Sequence, residues 1–191
     1  MKLKLVLLGL ALASVTLVAS SNIAQAQCPH KKVVPPVPQT RIIRQEKLGY
    51  RFSIPNNYRT MAFGSDRLLV LDPNTFAEAQ CLVKNKVPTE LPRSITIYVK
   101  SVNLRNRSLV NIVRQDNPTI DKFENTKVAN QSAVNYTSDT LGFNKNVSFF
   151  TPDRKYLITV SVPFEIEQGR PTTIFNKQVF DKVISSFTFV R

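Results

Sequence analysis

LGYRFSIPNNYRTMAF, residues Leu48 to Phe63, decides how the fold is read. Tyr50, Phe52 and Ile54 alternate with Arg51 and Ser53, the period-two pattern of a strand with one buried face. Pro55 ends that strand, because it has no N–H to offer a ladder. Asn56 and Asn57 suit a turn. Tyr58 to Phe63 reads as a second short strand, and Arg67 to Leu71 as a third after Gly64-Ser65-Asp66. The stretch predicts a strand, a proline-marked turn and a return, all opening one sheet.

Downstream, Asp72-Pro73 predicts a helix start, with Asp as cap and Pro at the first helical position. Thr75 and Glu78 match a capping box. Phe76, Ala79, Leu82 and Val83 fall on one face of this helix, and Cys81 lies on it. SITIYVKSV, from Ser94, is a strand with Ile95, Ile97 and Val99 on one side and Thr96, Tyr98 and Lys100 on the other. SLVNIVRQ predicts a short helix capped by Ser108, with Leu109, Ile112 and Val113 on one face. TKVANQSAVNYTSD predicts two strand pieces around Asn130-Gln131. KNVSFFTPDRKYLITVSV is a hairpin, with Pro152 at the second turn position if Thr151 begins it. Pro171-Thr172-Thr173 precedes a helix whose stripe is Phe175, Val179, Phe180, Val183 and Ile184. SFTFV closes as a strand, with Phe187 and Phe189 on one face. Hairpins mixed with a few amphipathic helices predict an α+β fold, an antiparallel β-sheet flanked by helices.

The first residues carry Lys2 and Lys4, an apolar run from Leu5 to Val18, and Ala24-Gln25-Ala26. That is the pattern of a secretory leader cleaved near Ala26, and the run is shorter than the roughly 20 residues a spanning helix needs. Residues 1–26 are therefore expected to be a signal peptide, 27–45 a basic proline-rich tether outside the folded body, and 46–191 a single domain. The formal charge of the chain is +13. In an exported protein such an excess points to anionic lipid or acidic protein surfaces rather than nucleic acid. Two cysteines, Cys28 and Cys81, suggest one disulfide in an oxidising compartment. The competing reading is a free Cys28 on a mobile tail with Cys81 buried as a small apolar residue.

The order of elements resembles the PsbP-like family, the extrinsic lumenal protein of photosystem II and its relatives, with their DcrB-type α/β/α sandwich. The residues that carry the resemblance are Tyr50 to Pro55 followed by Tyr58, then Tyr156-Leu157-Ile158, then Phe180 to Phe187. It spans about Lys47 to Val190. The family more often has Trp after the opening proline and glycine in the mid-chain turn; this chain has no Trp and places Asn130-Gln131 there. The resemblance implies helices on both faces of the sheet and a non-enzymatic role beside a membrane protein complex in the thylakoid lumen.

No catalytic constellation stands out. His30 is the only histidine and lies in the tether, so Ser–His and Cys–His chemistry have no base. There is no phosphate loop and no dinucleotide fingerprint. Glu165 and Glu167 read as exposed carboxylates at a strand end, and Asp116, Asp121 and Glu124 match no calcium loop. No cofactor or metal is expected. Between Glu90 and Asp116, however, Arg93, Lys100, Arg105, Arg107 and Arg114 occur with no acid among them. These five are the candidate patch for an anionic partner. The expected protein is an exported, monomeric accessory protein of the periplasm or thylakoid lumen, docking on a membrane protein complex or anionic membrane surface, with photosystem II assembly or stabilisation as the specific form. The alternative is a free periplasmic module binding a small ligand or peptide; a hydrolase with unrecognised machinery is the remote third.

Overall fold

The structure, a computed structural model, describes residues 28, 30–87, 90–103, 107–120, 122–139 and 142–190. The expected leader, Arg105 and Asp121 lie outside these residues. Among them are two antiparallel sheets and three α-helices, an α+β fold. In the smaller sheet, β1 (Thr40–Gln45) and β2 (Tyr50–Pro55) form a hairpin, and β11 (Thr188–Phe189) pairs with the other edge of β2. The larger sheet runs β3 (Arg59–Phe63), β4 (Arg67–Leu71), β5 (Ile95–Ser101), β9 (Tyr156–Glu167), β8 (Asn144–Phe150), β7 (Gln131–Ser138) and β6 (Glu124–Val128). Strand β10 (Arg170–Ile174) pairs with the far end of β9.

Strand alternation sorts the large sheet into two faces. Leu68, Val70, Ile95, Ile97, Phe149 and Ile158 point to one side, where they meet Tyr50, Phe52 and Ile54 of β2. Helix α3 (Lys177–Ser186) completes that layer with Val179, Phe180 and Val183. On the other side, Leu69 and Leu71 meet Ala79 of α1 (Pro73–Lys84). Val134, Phe150 and Leu157 meet Ile112 and Val113 of α2 (Leu109–Asp116). Helices thus flank the large sheet on both faces. The centre of the main core is aromatic: the Phe187 ring lies 4.9 Å from Tyr50 and 5.0 Å from Phe149, centroid to centroid.

The opening stretch forms the elements its pattern predicts, but β2 and β3 do not share a sheet. Asn56 and Asn57 turn the chain from the small sheet into the large one. Pro55 carries β2 to its end, where it still pairs with Thr40. Tyr58 is buried at this corner, and its hydroxyl donates to Val34 O at 3.2 Å.

The tether reading is also corrected. Residues 40–45 are β1, joined to β2 through a 3-10 turn at Glu46–Leu48 and Gly49, whose φ of +65° suits glycine. The preceding residues are strapped to the body. Val34 N–H donates to Asp72 Oδ1 at 3.0 Å, Asn74 Nδ2 to Lys32 O at 2.8 Å, Asn57 Nδ2 to Pro35 O at 2.8 Å, and Asn56 N–H to Gln39 O at 2.8 Å. Side-chain amides and a carboxyl replace a ladder, and so no periodicity marks the contact. At its start, Cys28 is bonded to Cys81 of α1, 53 positions away.

Smaller differences have local causes. Asp72 caps α1, accepting from Asn74 N–H at 3.1 Å and Thr75 N–H at 3.4 Å. Thr75 bonds the same carboxyl, while Glu78 turns to His30, so Thr75 and Glu78 make no capping box. Val83 is 52% exposed, off the buried face. The mid-chain turn falls one residue earlier than expected, on Ala129 and Asn130, both with positive φ. Arg154 N–H donates to Thr151 O at 2.8 Å, which makes Thr151 the first residue of the β8–β9 turn and Pro152 the second. Residues 170–174 form β10, an exposed edge strand without alternation.

Candidate functional site: a polar lane between two helices

Helices α1 and α2 cover opposite ends of one sheet face and leave its middle open. The strands there carry polar side chains where the buried face carries aliphatic ones. Thr96 on β5 stands opposite Ser161 on β9, and Ser161 opposite Asn146 on β8. One row over, Tyr98 stands opposite Thr159, and Thr159 opposite Ser148. These groups are linked. Ser148 and Thr159 hydroxyls lie 2.7 Å apart, and Tyr136 of β7 reaches Ser148 at 3.1 Å. Burial pushes the Tyr136 phenol up in pKa, so it stays a neutral hydroxyl. Ser148 is fully buried and Asn146 nearly so. Buried hydroxyls need partners, and here most partners are one another.

Above the lane is a groove of about 530 Å³, with Tyr98, Lys100, Asp116, Asn146, Thr159 and Ser161 among its lining residues. An adjoining hollow of about 550 Å³ shares Tyr136 and Ser138 with it. The groove holds hydroxyls, amides, the Lys100–Asp116 ion pair and the Asp66 carboxylate, and it can orient a polar molecule.

The α2 side of the groove carries most of the expected cationic patch. Lys100 Nζ reaches both Asp116 carboxylate oxygens, at 2.7 and 2.8 Å. Asp116 bounds the acid-free stretch in sequence, and the last turn of α2 brings it back onto Lys100. Arg107 donates to Gln115 and to Asn103 O, the latter at 2.9 Å, and so is held by neutral groups. The exposed Arg114 guanidinium stacks over the Phe123 ring, 5.2 Å from its centroid. Lys100, Arg107 and Arg114 therefore share the surroundings of α2. Arg93 does not join them: it precedes β5, and seven residues of extended chain separate it from Lys100 by roughly 20 Å. Arg105 is outside the described residues.

The other residues singled out in the sequence carry ordinary surface contacts. Thr173 Oγ1 donates to Glu165 Oε2 at 2.5 Å, and Lys122 pairs with Glu124 at 3.3 Å. No group of three or more potential metal ligands gathers among the described residues. Sequence reasoning missed the polar lane. Its signal was the run Thr96, Tyr98, Lys100, which looks like any solvent-facing side of a strand.

No family model matches the chain, and no curated protein does. Among solved structures, the chain is similar to the solution structure of cyanobacterial PsbP (CyanoP) from Synechocystis sp. PCC 6803. The identity is 14%, over 80% of this chain and 94% of that one, with a TM-score of 0.44. A crystal structure from Bacteroides thetaiotaomicron VPI-5482 is similar at 9% identity, over 75% of this chain and 46% of that one, with a TM-score of 0.41. Both TM-scores lie below 0.5.

Proposed function

We propose that the protein is an exported, non-enzymatic accessory protein that docks on an anionic surface, of a membrane protein complex or of its lipid, through the α2 rim. The carrying observation is that Arg107, just before α2, and Arg114, in its last turn, pair with no carboxylate among the described residues, while the nearby Lys100 is neutralised by Asp116. Two fixed positive charges thus stay available to an acidic partner. Each basic residue near an anionic surface contributes about 1 kcal/mol. Reversing both, as Arg107→Glu with Arg114→Glu, is expected to weaken binding to anionic vesicles or isolated membranes at low salt by roughly tenfold or more. Raised salt should have the same effect on the parent protein. Association that survives both changes overturns the reading. The resemblance to the PsbP-like family supplies the specific form, a partner among photosystem II complexes. Co-isolation with those complexes, lost in the double variant, tests it.

A second reading rests on the polar lane: a free periplasmic module holding a small neutral polar ligand above Tyr98, Asn146 and Ser161. Amide-shift mapping with neutral sugars and polyols tests it. Shifts confined to β5, β8 and β9 support it, and none at high ligand concentration removes it.

A further inference from the structure

The corner between the two sheets holds two arginines in an arrangement that docking through α2 does not use. Arg41, on β1, donates from Nη2 to Tyr58 O at 2.6 Å. Arg59, on β3, donates from Nη1 to the same oxygen at 3.0 Å and to Asn56 O at 2.8 Å. The two nitrogens therefore lie no farther apart than those two bonds laid end to end. No carboxylate among the described residues pairs with either guanidinium. Two like charges share one neutral acceptor, and burial together with the Arg59 charge lowers the Arg41 pKa. Arg41 Nε is buried without a hydrogen-bond partner, so this side chain is held in place rather than extended into solvent. Arg59 is exposed.

We propose that Arg41 and Arg59 form an oxyanion site for a phosphate-type dianion, inorganic phosphate or a phosphate monoester. The backbone carbonyls hold Arg41 by Nη2 and Arg59 by Nη1, which leaves Arg41 Nη1 and the Nε and Nη2 fork of Arg59 as donors without a partner among the described residues. Preorganised forks of this kind bind phosphate bidentately. The double positive charge matches a dianion better than a single carboxylate. The site is four strand positions across the sheet from β8, about 19 Å at ~4.8 Å per strand, and so is separate from the α2 rim.

The test is thermal unfolding of the full chain in inorganic phosphate against chloride at matched ionic strength. Phosphate at roughly ten times its Kd is expected to raise Tm by about 3–6 °C. The exposed Arg59→Gln change should keep the fold and abolish the rise. Arg41→Lys, which keeps the charge and loses the fork, should reduce it. Arg107→Glu with Arg114→Glu should leave it intact. Vesicles of phosphatidic acid, compared with phosphatidylglycerol, separate the sources. Binding to the former that is lost in Arg59→Gln places the monoester on a lipid, and a phosphate response without vesicle binding places it in solution. No rise beyond chloride, a rise unchanged in Arg59→Gln, or an equal rise with acetate overturns the proposal.

Discussion

Tyr58 joins three parts of the chain: its ring lies in the main core, its hydroxyl holds the strap at Val34, and its carbonyl receives Arg41 and Arg59. Burial, and then the nearby Asp72 charge, push its pKa up to about 12. Burial pushes Tyr50 up as well. A phenol whose folded pKa is raised binds its proton more tightly when folded. The stability this gives is complete below the unfolded value near 10 and is lost as pH rises toward about 12. Urea midpoints measured from pH 9 to 12 should therefore fall through that window, and Tyr58→Phe should flatten part of the fall. Asp72 is equally tied in, being almost fully buried with donors from Asn74, Thr75 and Val34 around it. Asp72→Ala removes a helix cap and leaves buried N–H groups unpaired. The expected loss is about 2 kcal/mol by urea unfolding.

At the scale of elements, the strap from residue 30 to 39 gains its order from both ends, β1 on one side and the Cys28–Cys81 bond on the other. The closed loop is long enough that replacing both cysteines by serine should cost about 2–4 kcal/mol. The same variant should also become sensitive to trypsin at the exposed Lys31 and Lys32, read by mass spectrometry of early fragments. Intact trypsin resistance without the disulfide would show that the side-chain bonds alone hold the strap. Legibility follows the same division. Strands β4 and β5 and helix α2 were plain because their signals are local: a continuous apolar run in RLLVL, alternation in ITIYVKS, and a Ser108 cap that accepts from Asn111 N–H at 3.2 Å. The strap was not legible, since its partners are mostly single side chains 20 to 48 positions away. Strand β10 was not legible either, because an exposed edge strand shows no apolar alternation. Of the site, the arginines and Lys100 could be read in the sequence. Their pairing with Asp116 and Gln115 could not, because it depends on where α2 lies over the sheet.

For the whole molecule, the decisive fact is that one core spans both sheets. Tyr50 and Phe52 from the small sheet, Phe149 from the large one, and Phe187 after α3 sit ring against ring. Unfolding should therefore be a single transition, and Phe187→Ala should lower stability by about 3–5 kcal/mol while keeping it single. Calorimetry checks this: two resolved peaks would mean that the sheets fold independently. The jump of the chain at Pro55 from one sheet to the other explains why a local reading of residues 48–63 found the strands but joined them wrongly. The pairing of Arg51 with Thr188 has a consequence in time. A ribosome delivers Tyr50 and Phe52 well over a hundred residues before the strand and the ring that cover them. Until then the growing polypeptide carries uncovered aromatic surface, a ready target for chaperones, and its native interior closes only after synthesis has passed residue 189.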